Sequence, residues 1–168
     1  MAPKFSSRAS VIAARFSADF DNVDPAAKEI AARLVQLVAL FEQENRALFE
    51  YHQISRGIFS ALVCLRLAGE PYELRHRELV DRMLLTSGGV TNLCHRLEKL
   101  GMLSRHRESD DGRGVVFQLT AEGVALADDL LPKQHLLERQ LVDVLDESER
   151  KQLCALLEKL SQPFDHLR

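Results

Sequence analysis

The sequence predicts a mainly α-helical fold carrying one small β-hairpin. Three observations predict it. Gly and Pro are scarce, at 8 and 5 of 168 residues, and Trp is absent, a composition that tilts towards helix. Apolar residues recur at helical spacing along most of the chain. One stretch departs from that pattern: residues 86–120, TSGGVTNLCHRLEKLGMLSRHRESDDGRGVVFQLT. It reads as a capped helix, a glycine stop, a strand, a polar tip with charges of both signs, and a second strand.

The elements follow in order. Residues 1–23 are Ser/Ala-rich with a weak helical pattern in Val11, Ile12, Phe16 and Phe20, and read as an arm or a short accessory helix. Asp24-Pro25 starts a helix, an acid at the N-cap followed by proline at the first helical position. Ile30, Leu34, Leu37, Val38, Phe41 and Leu48 carry it to about His52. So long a helix has more apolar surface than one small domain needs, which points to a second copy as partner.

Ser55 caps the next helix, with Ile58, Phe59, Leu62, Val63 and Leu65, ending near Gly69. A turn at Gly69-Glu70-Pro71 precedes a very short strand at residues 72–74 and a short helix at residues 75–84. Thr86 caps a helix that stops at Gly101, a glycine placed for the left-handed exit. Residues 102–107 and 115–119 are strands around a polar tip. Thr120 caps a helix that Pro132 is expected to bend or split, because proline removes a donor and clashes one turn back. Asp146 and Glu149 form a capping-box pattern at the start of a last helix bearing Leu153, Leu156, Leu157 and Leu160.

Composition narrows the function. Hydrophobic residues at 46% and charged residues at 28% are globular values, and 168 residues fit one domain of ordinary size. A net charge of -3 argues against indiscriminate nucleic-acid binding, yet residues 75–113 hold eight Lys/Arg against six Asp/Glu, so the positive charge is local. Cys64, Cys94 and Cys154 are odd in number, far apart and without a C-x-x-C, which suits a reducing cytoplasm. The short apolar run at residues 11–14 is too brief for a signal peptide, and no stretch approaches a membrane span. The six His residues show no ligand spacing, and no Ser/His/acid set or phosphate loop is present, so neither a metal site, a cofactor nor an enzyme is expected.

The chemistry of residues 86–120 points to DNA. Val90, Cys94, Leu97 and Leu100 form an apolar stripe on the helix, with Ser87, Gly88, Thr91, Asn92, His95 and Arg96 opposite. Asn and Arg are the types that make paired contacts to adenine and guanine, each worth ~1–3 kcal/mol of discrimination. Gly88 and Gly89 cost ~1 kcal/mol each in helix propensity, but would let the helix start approach a phosphate. Arg105, Arg107 and Arg113 place three guanidinium groups around the hairpin tip, where Asp111 can orient them. Helix plus hairpin in this order is the layout of a winged helix-turn-helix.

Here the chain resembles the MarR family of winged-helix transcriptional regulators. The matching residues are Glu78-Leu79, Val90-Thr91, Arg96-Leu97-Glu98 leading to Gly101, then Arg105 and Asp111-Gly112-Arg113-Gly114. Leu119-Thr120-Ala121-Glu122-Gly123 completes the match, and the resemblance covers about residues 28–162. It implies a homodimer tied together by its long N- and C-terminal helices, with two reader lobes on a roughly palindromic double-stranded operator. Residues 86–100 would be the recognition helix, and Arg113 the wing-tip arginine with Asp111 as its partner. The expected organisation is an arm at residues 1–23 and a MarR-type domain at 24–168. Within that domain, residues 55–120 form the DNA-binding lobe, and residues 24–54 and 121–168 the dimerisation helices.

The runs Thr86-Ser87-Gly88-Gly89-Val90-Thr91-Asn92, Gly69-Glu70-Pro71-Tyr72 and Leu130-Leu131-Pro132 are most similar to the branch of urate-responsive and PecS-type repressors. The chain departs from that branch in lacking Trp, in Ser60 where an acid is usual, and in Gly112 where the wing usually has a first Arg. Arg75 stands where the family commonly caps with Ser or Thr, and is a candidate phosphate contact. The resemblance implies a repressor released by a small anionic aromatic effector, with Phe41, Arg56, Phe59 and Arg82 as candidate lining. Peroxide-sensing members use a Cys in the first long helix, where this chain has none. The alternatives are a winged-helix dimer serving as a protein-interaction module, and a cysteine redox-sensing regulator.

Overall fold

The computed structural model describes residues 8–83, 85–107 and 114–167. The chain forms two compact units, Met1–Ala47 and Leu48–Arg168. In the first, α1 (Arg8–Asp19) precedes α2 (Pro25–Tyr51), which ends in the second. Asp24 caps α2 as its sequence position predicts, Oδ1 accepting from the Ala26 and Ala27 amides at 2.9 and 3.3 Å. The accessory helix forms, but it is turned differently from its apolar pattern. Ala9 and Ala13 are buried, whereas Val11, Ile12, Phe16 and Phe20 are exposed. Small side chains permit close approach, and Ser10 uses it to donate to Glu29 at 2.8 Å. The Ser10 hydroxyl and the Arg33 guanidinium together hold the Glu29 carboxyl below its ordinary value.

The second unit is built on α3 (Arg56–Arg66), whose Ser55 cap accepts from the Ile58 amide at 3.3 Å. Ile58, Leu62 and Leu65 of α3 are fully buried, at the centre of the core. Around them pack Leu79 of α4 (His76–Met83) and Val90, Cys94 and Leu97 of α5 (Ser87–Lys99). Phe117 and Leu119 of β3 (Val115–Leu119) and Ala127 and Leu130 of α6 (Ala121–Val142) join the same core. The second unit is therefore fixed by one continuous apolar cluster, the main source of its stability.

The hairpin is part of a three-stranded antiparallel sheet in the order β1-β3-β2, with β1 at Glu73–Arg75 and β2 at Leu103–Arg107. Phe117 lies opposite Leu74 on one side and Arg105 on the other. The sequence places β1 one residue early and gives it no partner, because strand pairing across some 40 residues leaves no local signal. In β2 only Leu103 is buried, and Ser104 to Arg107 are exposed. An edge strand covered in charge resists unwanted strand addition.

Thr120 joins β3 and the end of α5 to α6. Its hydroxyl accepts from the Gly123 amide at 3.1 Å and donates to the Gly101 carbonyl at 2.8 Å, while its own amide donates to Met102 at 3.1 Å. Pro132 lies inside α6 without splitting it: the helix is one element through Val142. Asp146 and Glu149 form the reciprocal capping box at the start of α7 (Glu147–Ser161), each bond 2.9 Å. No residue of α7 is buried.

Candidate nucleic-acid interface

The proposed reading helix is defined at both ends. Thr86 Oγ1 accepts from the Gly89 amide at 3.2 Å, closing the start of α5. At the other end Gly101 has φ +71°, and the Met102 and Gly101 amides donate to the Leu97 and Glu98 carbonyls at 3.0 Å each. That pair of bonds is the left-handed glycine exit expected from sequence. The buried stripe is Val90, Cys94 and Leu97, but Leu100 is 47% exposed. This corrects the expected stripe: Leu100 is the C-cap, and helical spacing stops predicting direction where the helix ends.

The other face of α5 is solvent-facing. Ser87, Gly88, Asn92, His95, Arg96 and Lys99 are all exposed, and Asn92, Arg96 and Lys99 recur at spacings that share a face. Lys99 was not singled out from sequence. Its signal is its position, seven residues beyond Asn92. Gly88 has nothing within 4 Å of an added Cβ, whereas Gly89 already gives its amide to Thr86. Of the two glycines, only Gly88 has an amide outside the Thr86 cap.

Thr91 is half-buried and its hydroxyl is engaged on both sides. It donates to the Ser87 carbonyl at 2.9 Å and lies 3.1 Å from His76 Nε2. Since the hydroxyl hydrogen is on Ser87, His76 must supply the hydrogen of the second bond. His76 also sits 6.0 Å from the Phe117 ring, so it is a link between α4, α5 and β3. Arg75 ends β1 at the cap of α4, its amide donating to Glu78 at 2.8 Å.

Glu98 belongs to the motif Arg96-Leu97-Glu98 near the end of α5. It faces two of the candidate residues at once, with His95 Nδ1 at 3.0 Å and Arg105 Nε at 3.2 Å. Arg105 and Arg107 are exposed on β2, and His106 lies 3.6 Å from Glu73 of β1. Asp111, Gly112 and Arg113 lie outside the described residues.

Of the candidate effector residues, Phe41 belongs to the first unit and Arg56, Phe59 and Arg82 to the second. Phe59 is buried to 3% in the core, 5.4 Å from the Phe49 ring, while Arg56 and Arg82 are exposed. Burial, then the Glu98 carboxylate, push the Cys94 thiol up to about 12. Cys64 is raised by burial, partly offset by Arg82. Cys154 is exposed on α7. Among the described residues no group of three or more His, Cys, Asp or Glu is placed to hold a metal ion, and no helix is long and apolar enough to cross a membrane.

A family model described as MarR family matches residues 62–114, from within α3 to the residue before β3. The chain is 28% identical over 133 residues to the HTH-type transcriptional regulator PecS of Dickeya dadantii (strain 3937), covering 79% of this chain and 80% of that protein. Over residues 62–114 the chain is similar to the MarR family. The chain is also similar to the transcriptional repressor MprA of Escherichia coli (strain K12), 29% identical over 128 residues, 76% of this chain and 72% of that protein. The fold matches Bordetella bronchiseptica BpsR, a protein whose DNA binding is regulated by 6-hydroxynicotinic acid. The TM-score is 0.70 at 20% identity, over 79% of this chain and 92% of that one. The helices and three-stranded sheet of the second unit thus match the winged helix of MarR-family structures, and the relatives PecS and MprA are named as transcriptional regulators.

Proposed function

We propose that the protein is a homodimeric, sequence-specific DNA-binding repressor of the cytoplasm, released by a small anionic aromatic ligand. One observation carries the DNA reading. The exposed face of α5 presents Asn92, His95, Arg96 and Lys99 beside the Arg105 and Arg107 of β2, and Glu98 bridges the two elements. Asn92 and Arg96 are assigned to base edges in the major groove, the types suited to adenine and guanine. Ser87, Gly88 and Thr91 set the helix start against the backbone, Gly88 through its open amide and Thr91 through its methyl. Arg105, Arg107 and Arg113, the last oriented by Asp111, serve the wing, and Arg75 a flanking phosphate.

The dimer reading is supported by apolar surface on the terminal helices. Val35 and Val38 of α2 are 71% and 53% exposed, and Leu156 and Leu160 of α7 are 59% and 47% exposed. Such a density of exposed aliphatic side chains marks an interaction face. Residues 24–54 and 121–168 would supply it, leaving residues 55–120 as the reading lobe and residues 1–23 as an accessory arm. Two lobes related by a two-fold axis call for a roughly palindromic operator. Release follows if the ligand prefers a dimer whose reading helices are wrongly spaced. BpsR, regulated by 6-hydroxynicotinic acid, motivates the ligand class, and of the candidate lining residues the exposed Arg56 and Arg82 are assigned to its charge. A gel shift on the DNA flanking the protein's own gene tests the reading. A salt-sensitive complex at one site, dissolved by an aromatic acid, is expected; no site-specific complex at any salt would sink it.

A further inference from the structure

Glu98 stands on the last turn of α5 with one carboxylate oxygen given to each of two partners. Oε2 lies 3.0 Å from His95 Nδ1, and Oε1 lies 3.2 Å from Arg105 Nε. The acid is the sheltered member, its side chain 22% exposed against 50% for His95 and 56% for Arg105. An ionised carboxylate has no hydrogen to give, so the imidazole nitrogen that faces it must carry one. That places the hydrogen of neutral His95 on Nδ1 and leaves Nε2 as a lone-pair acceptor.

We infer that Glu98 is a positioning residue that sets which hydrogen-bonding role His95 presents to DNA. The inference rests on the reading that the exposed face of α5 meets base edges. An acceptor at Nε2 matches an exocyclic amino group, cytosine N4 or adenine N6, and does not match the keto oxygens of guanine or thymine. Without the acid the ring can carry its hydrogen on Nε2 and present a donor, which suits those keto oxygens instead. A side chain that touches no base thereby selects the base its neighbour accepts. The same acid ties the reading helix to β2 through Arg105, so helix and wing strand are held as one surface.

The two oxygens separate the two roles. Arg105→Ala removes the tie to the wing strand and leaves Oε2 on His95. Glu98→Gln keeps the shape but offers one acceptor oxygen to two donors, and its amide can donate to Nδ1, so the ring is no longer confined to one form.

The experiment has two arms, both on the full chain at pH 8, where an ordinary imidazole is neutral. Nitrogen NMR of the His95 ring reports which nitrogen carries the hydrogen. Selection from random duplex DNA, by wild type, Glu98→Gln, His95→Ala and Arg105→Ala, reports base preference; thermal melts show that each variant is folded. Hydrogen on Nδ1 is expected in the wild type, with a mixture in Glu98→Gln. Wild type should favour an amino-bearing base at one position of the half-site; Arg105→Ala should bind every sequence more weakly, as loss of a wing contact, while keeping that choice of base. Glu98→Gln and His95→Ala should lose that preference alone, by about fivefold, the worth of one ordinary hydrogen bond. Hydrogen on Nε2 in the wild type would overturn the inference, and so would a Glu98→Gln protein that selects the wild-type base at full strength. A wild type that selects no sequence removes the DNA reading itself, and this inference with it, a result distinct from both. Because the NMR arm reads the wild-type ring, it decides the tautomer even if a variant fails to fold.

Discussion

His76 Nε2 and Thr91 Oγ1 lie 3.1 Å apart, and the bond joins the first residue of α4 to the first full turn of α5. With its hydrogen on the Ser87 carbonyl at 2.9 Å, the Thr91 hydroxyl has none left for a base. Thr91→Val should therefore keep the sequence preference of the wild type, because the methyl group remains. It should cost about 1 kcal/mol of stability, the net worth of a part-buried hydrogen bond. Urea unfolding read beside DNA selection checks both halves; a relaxed base preference would show that the hydroxyl reads DNA after all.

Cys94 carries a prediction about pH. Its thiol, raised from an ordinary value of 9.0 to about 12 by burial and then by Glu98, binds its proton more tightly folded than unfolded. The stability it contributes is fully present below about pH 9 and is lost as pH rises towards 12, because the unfolded chain releases that proton first. Cys94→Val should fall less steeply in stability over that interval than the wild type, measured by denaturant titration at a series of pH values. At neutral pH, alkylation should label the exposed Cys154 well before Cys94, and equal labelling rates would contradict the burial of Cys94.

Two glycines should respond in opposite ways to alanine. A Cβ on Gly123 would run into the Met102 carbonyl, which is already held by the Thr120 amide at 3.1 Å and cannot move cheaply. Gly123→Ala should cost about 1–3 kcal/mol, the range for forcing extra volume into packed structure. Gly88→Ala meets nothing within 4 Å and should stabilise α5 by up to about 1 kcal/mol. If the open amide of Gly88 approaches a phosphate, the same substitution should weaken DNA binding while raising the melting temperature.

Much of this architecture is legible in the sequence because it is decided within a few residues. Asp24, Ser55, Thr86, Thr120 and Asp146 each cap a helix where their position relative to the first apolar residue says they should. Gly101 stops α5 for an equally local reason. What is not legible depends on distant partners. β1 needs β3, Glu98 acquires a second partner only when β2 brings up Arg105, and His76 looks like a surface residue until Thr91 is placed beside it. The orientation of α1 misleads for another reason: the pattern of large apolar residues points one way, and the small residues that allow close packing point another.

The terminal helices give a prediction about assembly. Leu156 and Leu160 are exposed in the single chain, so charge there leaves its core intact. Leu156→Glu with Leu160→Glu should convert a dimer into folded monomers in sedimentation, with far-ultraviolet circular dichroism retained. DNA affinity should fall steeply, because one lobe alone makes half the contacts. An unchanged sedimentation coefficient would place the partner-binding face elsewhere.

The central claim is that the exposed face of α5 reads DNA sequence while the wing strand grips its backbone. Its most direct measurement is binding of wild type, Asn92→Ala, Arg96→Ala and Arg107→Ala to a selected operator and to its single-base variants, over a range of salt. Asn92→Ala and Arg96→Ala should each relax preference at one position of the half-site, at a cost of about 1–3 kcal/mol. Arg107→Ala should weaken all sequences alike and lower the salt slope by about 1. Uniform weakening by all three variants, or no enrichment of any sequence by the wild type, would contradict the claim.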